Sequence, residues 1–343
     1  MKMNGNRKIR VGVIGAGSFA CRYHIPHLLR REEVDLVAFA KRTDLSRRRV
    51  QERFKIPAAY CDYQEMLESE RLDAVVIATP HHVHYEQTKF CLQRGLPVLL
   101  EKPMTIETYH ARELHELANK NSIPLLVAYN RRVNGHYREA AKIIADGGVG
   151  EIRFLEARLF ADLEWMMSGA LPPTPELQEK WWPDADRPNF RSDKTHIGEG
   201  FLDDGGSHAI DALLWFSFST PKEVAAVMHT YANGLEVRTS AGIAFENGAL
   251  GSICCCADTP PVVPFETIVH GSEGAVAASR EELIHVFKGK TMKPQPRFSS
   301  QTTTDHFIDV LLEKEENLCG SANAVKAVEL ARAVFASNSL SST

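Results

Sequence analysis

The sequence predicts two domains: an α/β N-terminal domain with a doubly wound parallel sheet (a Rossmann domain), then an α+β C-terminal domain with an open, mostly antiparallel sheet. Three observations predict this. At 343 residues the chain exceeds the size at which a single core stops growing. Its first third alternates short apolar runs with amphipathic stretches, the signature of βαβ units. From residue 151 onward, strand-like runs follow one another with little helix between them.

In order, residues 8–14 read as the first strand, 18–31 as a helix, 35–40 as the second strand and 44–54 as a helix. Residues 73–78 (DAVVIA) read as a buried strand ahead of Thr79 and Pro80, followed by a helix over 83–94. The run 97–100, a helix over 105–120 and a strand at 125–128 complete that domain. After a helix over 135–145, strands are expected at 151–160, 224–230, 237–245, 249–256 and 267–269, with one helix at 208–216. Two helical stretches, 305–316 and 322–335, close the chain before a Ser/Asn/Thr tail. The resulting division is 1–130, a dinucleotide-binding Rossmann domain; 131–318, a substrate and oligomerisation domain; and 319–343, a C-terminal helix with a disordered tail. Within the second domain, residues 161–197 carry Pro172, Pro173, Pro175, Pro183 and Pro188 and three of the four tryptophans, the composition of a lid-like loop.

Composition excludes several classes. Forty basic against 44 acidic residues give a net charge of −4, so no polycationic surface invites nucleic acid. No apolar run reaches membrane-spanning length. Seven cysteines with no CxxC pair, and no secretory leader, read as reduced thiols of a cytoplasmic protein. Cys254, Cys255 and Cys256 are adjacent, and consecutive strand residues point to opposite faces, so they suit strand packing and no metal site is expected.

Gly15-Ala16-Gly17-Ser18-Phe19-Ala20 is G-x-G-x-x-A between a strand and a helix. The first glycine permits the tight turn, the second lets a pyrophosphate approach the backbone, and the small sixth residue lets helix and strand pack closely. The helix start then offers free N–H groups to phosphate. NAD folds place an acidic residue at the end of the second strand for the ribose 2′-hydroxyl; here stand Lys41 and Arg42, which would attract a 2′-phosphate, so NADP is preferred over NAD. Asp44 remains an alternative ribose ligand, and a solvated basic turn is the bland reading.

Glu101-Lys102-Pro103 ends an apolar strand, delivering Lys102 where ligands bind in open α/β sheets. In FLDDGGSHAIDALLWF, Asp204 and His208 lie four residues apart. They share a helix face if the helix already includes Asp204; Gly205 and Gly206 would start it later, and Asp211 is a competing partner for His208. A histidine there can take the proton of an alcohol while a carboxylate orients it. Trp165, Trp181 and Trp182 lie in the loop with Arg187, Arg191 and Lys194. The aromatic rings suit the C–H face of a sugar ring, and the cations an acidic or phosphorylated one.

Together these pieces resemble the Gfo/Idh/MocA oxidoreductase family. The resemblance covers nearly the whole chain: GAGSFA at 15–20, ATPHHVH at 78–84, EKP at 101–103, Tyr129-Asn130-Arg131-Arg132, GGVGEI at 147–152 and GEGFLDDGGSHAID at 198–211, where Glu199 interrupts a glycine run common in the family. The resemblance implies that Lys102, Asp204 and His208 are catalytic and that hydride passes between nicotinamide C4 and a hydroxyl-bearing carbon of a sugar, cyclitol or glycoside. Beside the glycine turn 15–19 and the Lys41-Arg42 pair read above, the expected cofactor contacts are Thr79, Pro80, His84, Glu101, Lys102 and Arg191, which follows Phe190 where relatives carry Trp-Arg. Substrate contacts would come from Lys102, Asn130, Trp181, Trp182, Asp204 and His208. It further implies a homodimer or homotetramer formed through the open face of the C-terminal sheet. Two alternatives stand beside the dehydrogenase: a glycosidase that oxidises its sugar transiently, and a non-enzymatic NAD(P) sensor.

Overall fold

The computed structural model describes residues 7–181, 189–260 and 266–338. The N-terminal domain runs β1 (Ile9–Ile14), α1 (Ser18–Arg22), α2 (His24–Arg30), β2 (Val34–Ala40), α3 (Asp44–Phe54), β3 (Ala58–Tyr60), α4 (Tyr63–Ser69), β4 (Ala74–Ile77), α5 (His84–Gln93), β5 (Val98–Leu100), α6 (Thr108–Lys120) and β6 (Leu125–Val127). Its six strands are all parallel, in the order β3-β2-β1-β4-β5-β6. Strand order reverses between β1 and β4, which opens a crevice at the carboxyl ends of the strands. Both central strands are buried on both faces, which explains their unbroken apolar runs.

The helix expected over 18–31 is instead two helices that break at Tyr23. Pro26 accounts for the break: it has no N–H for a helical bond to the Arg22 carbonyl, and its ring would strike that carbonyl in a continuous helix. Strand β3 and helix α4 escaped the sequence reading. β3 is only three residues, while α4 carries a recognisable start, its Asp62 carboxylate accepting from the Gln64 and Glu65 amides at 2.7 and 3.1 Å.

The C-terminal domain continues with α7 (Gly135–Ala145), β7 (Ile152–Phe160), α8 (Glu164–Ser168), α9 (Pro175–Trp181), α10 (Lys194–Ile197), α11 (Ser207–Ser217), β8 (Pro221–Thr230), β9 (Glu236–Phe245), β10 (Leu250–Cys256), β11 (Thr267–Gly271), β12 (Gly274–Ala278), β13 (Leu283–Phe287), β14 (Lys290–Met292), α12 (Thr303–Leu311) and α13 (Ser321–Ala336). The eight strands order as β14-β13-β12-β11-β7-β10-β9-β8 and are antiparallel except for the β7–β10 pair. One face, including Leu155, Ala157, Ala241, Ile243, Ile253, Cys255 and Val269, is buried and backed by α7, α11 and α13. The opposite face leaves Phe154, Val227 and Leu250 exposed, with Cys254 and Cys256 on the same side. Strands β12 to β14 were not expected, because Gly274-Ala-Val-Ala-Ala has little β preference of its own and is held as a strand by its neighbours.

The loop over 161–197 is not structureless: it holds α8, α9, a 3₁₀ turn at Phe190–Ser192 and α10. It reaches across to the first domain, α9 against α1 and α10 against the His81–Val83 turn. The chain then returns to the first sheet, where the Val127 amide donates to the Cys319 carbonyl at 2.8 Å and α13 packs on α6. Among the described residues no helix is long and apolar enough to cross a membrane.

Candidate active site

The glycine turn after β1 has the shape a pyrophosphate requires. Gly15 sits at φ +86°, and a Cβ there would lie 2.5 Å from Thr79 Cγ2 and 2.7 Å from the Ala78 carbonyl oxygen, so only glycine fits. A Cβ on Gly17 would meet only the Gly15 carbonyl oxygen at 3.9 Å, which leaves open space over the turn for a ligand. Lys41 and Arg42 follow the end of β2 directly, and the Lys41 amide is fixed to the Tyr60 carbonyl at 2.9 Å. Asp44, the alternative ribose ligand, is engaged by Arg47 at 2.5 Å and Arg48 at 3.0 Å. The open glycine turn and the start of α1 fit the pyrophosphate of a dinucleotide.

At the carboxyl end of β5, Lys102 crosses the crevice to the second domain. Its Nζ donates to Asp204 Oδ1 at 2.6 Å and to the Asp204 carbonyl at 2.9 Å. Arg191, from the loop, donates its Nε to Asp204 Oδ2 at 2.6 Å. His81 brings Nε2 within 3.6 Å of Asp204 Oδ1 while its Nδ1 donates to the Ile197 carbonyl at 3.0 Å. One buried carboxylate thus joins β5, the turn after β4 and the loop. Burial alone would raise its pKa, but Arg191, then Lys102, overcome that and hold it well below the carboxylate range. His81, sealed in the same cluster, is pushed down to about 3 by burial and stays neutral.

Asp204 does not belong to the helix. The preceding turn runs through Gly205 and Gly206, and α11 starts at Ser207, so the later of the two expected helix starts is the one found. Gly206 approaches the Leu202 backbone so closely that a Cβ would lie 2.6 Å from its Cα, which explains the glycines in this turn. His208, one residue into α11, meets the Tyr129 ring edge-on at 6.1 Å. Its Nδ1 is buried with no hydrogen-bond partner among the described residues, as is Asn130 Oδ1. Burial, then Arg131 and Lys102, depress the His208 pKa well below its usual value against the pull of Asp204, so the ring is neutral near pH 7 and able to accept a proton. Asp211 is not its partner: that carboxylate takes Arg132 Nε at 2.9 Å in a buried pair.

Several other expectations need correction. His84 is fully buried with Nδ1 on the Pro103 carbonyl at 2.8 Å and Nε2 on the Thr79 carbonyl at 2.9 Å. It braces two loops and has no face for a dinucleotide. Lys194 is paired with Glu199 at 2.5 Å and Arg191 with Asp204, so neither is an unspent cation for an acidic substrate. Trp165 is 7% exposed and anchors α8 to the core. Trp182, Arg187, Pro183 and Pro188 lie outside the described residues, and of Trp181 only its place at the end of α9 is described. Glu101 is 9% exposed; its Oε1 accepts from His24 Nε2 at 3.0 Å, and His24 Nδ1 lies 2.8 Å from the Thr304 hydroxyl. The sequence reading missed His81 beside Asp204, for which the repeated histidines of ATPHHVH were the available signal.

The chain matches two models of one family: the NAD-binding Rossmann fold of the oxidoreductase family over residues 9–129, and the GFO/IDH/MocA C-terminal domain over residues 137–277. The chain belongs to the Gfo/Idh/MocA oxidoreductase family. Curated relatives include scyllo-inositol 2-dehydrogenase (NADP(+)) IolW of Bacillus subtilis, 25% identical over 80% of this chain and 70% of that protein. Another is the mouse (Mus musculus) trans-1,2-dihydrobenzene-1,2-diol dehydrogenase, 26% identical over 78% of this chain and 73% of that protein. Among solved structures, the aldose-aldose oxidoreductase of Caulobacter crescentus complexed with glycerol superposes with a TM-score of 0.80 at 20% identity, covering 96% of this chain and 97% of that one.

Proposed function

We propose that this protein is an NAD(P)-dependent dehydrogenase acting on a secondary hydroxyl of a sugar, cyclitol or glycoside, with NADP as the preferred cofactor. The observation that carries the reading is the meeting of Lys102 with Asp204 and Arg191 beside a neutral, desolvated His208, at the carboxyl end of a strand flanking the glycine turn. A nicotinamide bound in the crevice would exchange hydride with the substrate carbon. His208 takes the hydroxyl proton during oxidation and returns it during reduction. Lys102, locked in place by Asp204, donates to the substrate oxygen and stabilises its developing negative charge. Asp204 stays ionised throughout and fixes both Lys102 and Arg191. Lys41 and Arg42 would receive a 2′-phosphate, in line with the NADP named for the Bacillus subtilis relative.

The exposed sheet face carrying Phe154, Val227 and Leu250 would dock a second copy of the chain, giving a homodimer or, by a further contact, a homotetramer. Activity is tested by offering a sugar and cyclitol panel with NADP⁺ or NAD⁺ and following the absorbance of reduced nicotinamide. Stoichiometric reduction by one class of polyol, faster with NADP⁺, is expected. Glycoside cleavage without net reduction, or cofactor binding without turnover of any polyol, would contradict it.

A further inference from the structure

Lys102 stands between two anchored neighbours. On one side the Pro103 carbonyl oxygen lies 2.8 Å from His84 Nδ1. On the other, Glu101 Oε1 accepts from His24 Nε2 at 3.0 Å, and Glu101 Oε2 accepts from the Lys102 amide at 3.3 Å. His24, on α2, continues to a third element: its Nδ1 lies 2.8 Å from the Thr304 hydroxyl on α12. Thr304 and His24 are each 1% exposed and Glu101 9%, so water competes little for these bonds.

The direction of this chain follows from its end. A carboxylate oxygen accepts, so His24 Nε2 carries the proton; in a neutral ring Nδ1 is then a lone pair, and the Thr304 hydroxyl is its donor. The ring also meets Phe19 of the glycine motif at 5.6 Å, edge to face. One histidine thus touches both the glycine motif and the residue that precedes Lys102. Docking of α12 on α2 has other supports. His27 Nδ1 lies 3.0 Å from Asp305 Oδ2, and Arg31 Nη2 donates to Asp309 Oδ1 at 2.6 Å. A hydroxyl buried in an interface already held by ion pairs costs free energy unless it is bonded, and the bond it makes is the one that fixes the His24 ring.

We propose that His24 and Thr304 are positioning residues of the dehydrogenase: acting through Glu101, they fix the backbone that delivers Lys102 to Asp204 and to the substrate oxygen. The inference rests on the dehydrogenase reading above and adds two residues, on α2 and α12, to its machinery.

Two substitutions separate the hydroxyl from the packing. Thr304→Val removes the hydroxyl and keeps the shape, whereas Thr304→Ser keeps the hydroxyl and removes a methyl group. In the polyol assay Thr304→Val should lower kcat roughly 10-fold with little change in substrate KM, because a displaced Lys102 fails the developing charge more than the bound alcohol. Thr304→Ser should retain the wild-type kcat. A residue that serves packing alone gives the reverse order, with Val tolerated and Ser impaired; that result, or equal losses in both variants, would overturn the proposal. The Lys102 backbone amide resonance reads the same chain without turnover or cofactor, in protein labelled isotopically at lysine and assigned by the signal lost in Lys102→Arg. It should move in Thr304→Val and hold its position in Thr304→Ser. An unmoved resonance in Thr304→Val overturns the proposal even if polyols are oxidised. A resonance that moves in the Val variant alone, in a protein that oxidises no polyol, upholds the chain from Thr304 to Lys102 and removes the dehydrogenase reading instead.

Discussion

Replacing Asp204 with asparagine keeps the shape of the side chain and removes the charge on which three parts of the fold converge. Wild-type Asp204 is 4% exposed, with Lys102 Nζ and Arg191 Nε each at 2.6 Å. Removing one partner of a buried pair costs about 3–5 kcal/mol, because the remaining charge is left uncompensated. Here two cations lose their counter-ion, but the amide oxygen still accepts from one, so about 3 kcal/mol is expected. Against a total stability of about 5–15 kcal/mol this is a large fraction, worth roughly 4 °C in melting temperature for a chain of 343 residues. The linkage has a definite sign. The Asp204 carboxyl is held below its ordinary value, so its stabilisation is complete above about pH 4 and is lost only as pH falls further. The gap between wild type and Asp204→Asn should therefore be constant from about pH 5 to pH 8 and close in stronger acid. Differential scanning fluorimetry across pH measures this, and turnover measures the loosening of Lys102. An Asp204→Asn protein with wild-type melting temperature and wild-type kcat would refute the idea that this carboxylate organises the site.

Three further outcomes follow from the same reasoning. Because burial and the neighbouring cations depress His208, the acid limb of kcat/KM should lie well below the ordinary histidine value of 6.5, and a limb at 6.5 would mean that another group is the base. Burial pushes the Glu236 carboxyl up to about 7 against the bonds from Thr239 and the Leu202 amide, so its contribution is fullest below about pH 4.5 and is lost as pH rises through 7. Glu236→Gln should therefore gain stability relative to wild type between about pH 5 and pH 8, by up to about 3 kcal/mol, read as a widening difference in melting temperature. Val227→Lys with Leu250→Glu should convert the assembled species to a monomer in light scattering behind size-exclusion chromatography; unchanged mass would remove the sheet face from the interface.

The fold was legible where hydrophobic period and glycine chemistry agree. The alternating apolar runs marked the first sheet, and Gly15 and Gly17 marked its ligand turn, because a strained backbone position leaves a residue-type signature in the sequence. Lys102 was legible because it ends an apolar strand before a proline. The partners of these residues were not. Asp204 meets Arg191 and His81 through the loop and the turn after β4, and such pairings are set by tertiary packing that no local pattern encodes. The same holds for Asp211, whose spacing to His208 is helical but whose carboxylate is captured by Arg132 from the 3₁₀ turn at Asn130–Val133. His84 misled for a related reason: a histidine in a loop motif invites a ligand role, yet burial gives both its nitrogens to backbone carbonyls. Pro26 was visible in the sequence, and weighing it would have placed the break at Tyr23.

In the proposed mechanism, binding of the nicotinamide and acceptance of the proton by His208 are separate. This separation is tested most directly by titrating NADP⁺ and NAD⁺ into wild type and His208→Ala and then measuring turnover of the polyol class that wild type oxidises. Dissociation constants within a few-fold of wild type, tighter for NADP⁺, and a loss of turnover on the order of 10²–10⁴ are expected. Loss of cofactor binding in His208→Ala, or turnover within a few-fold of wild type, would contradict it.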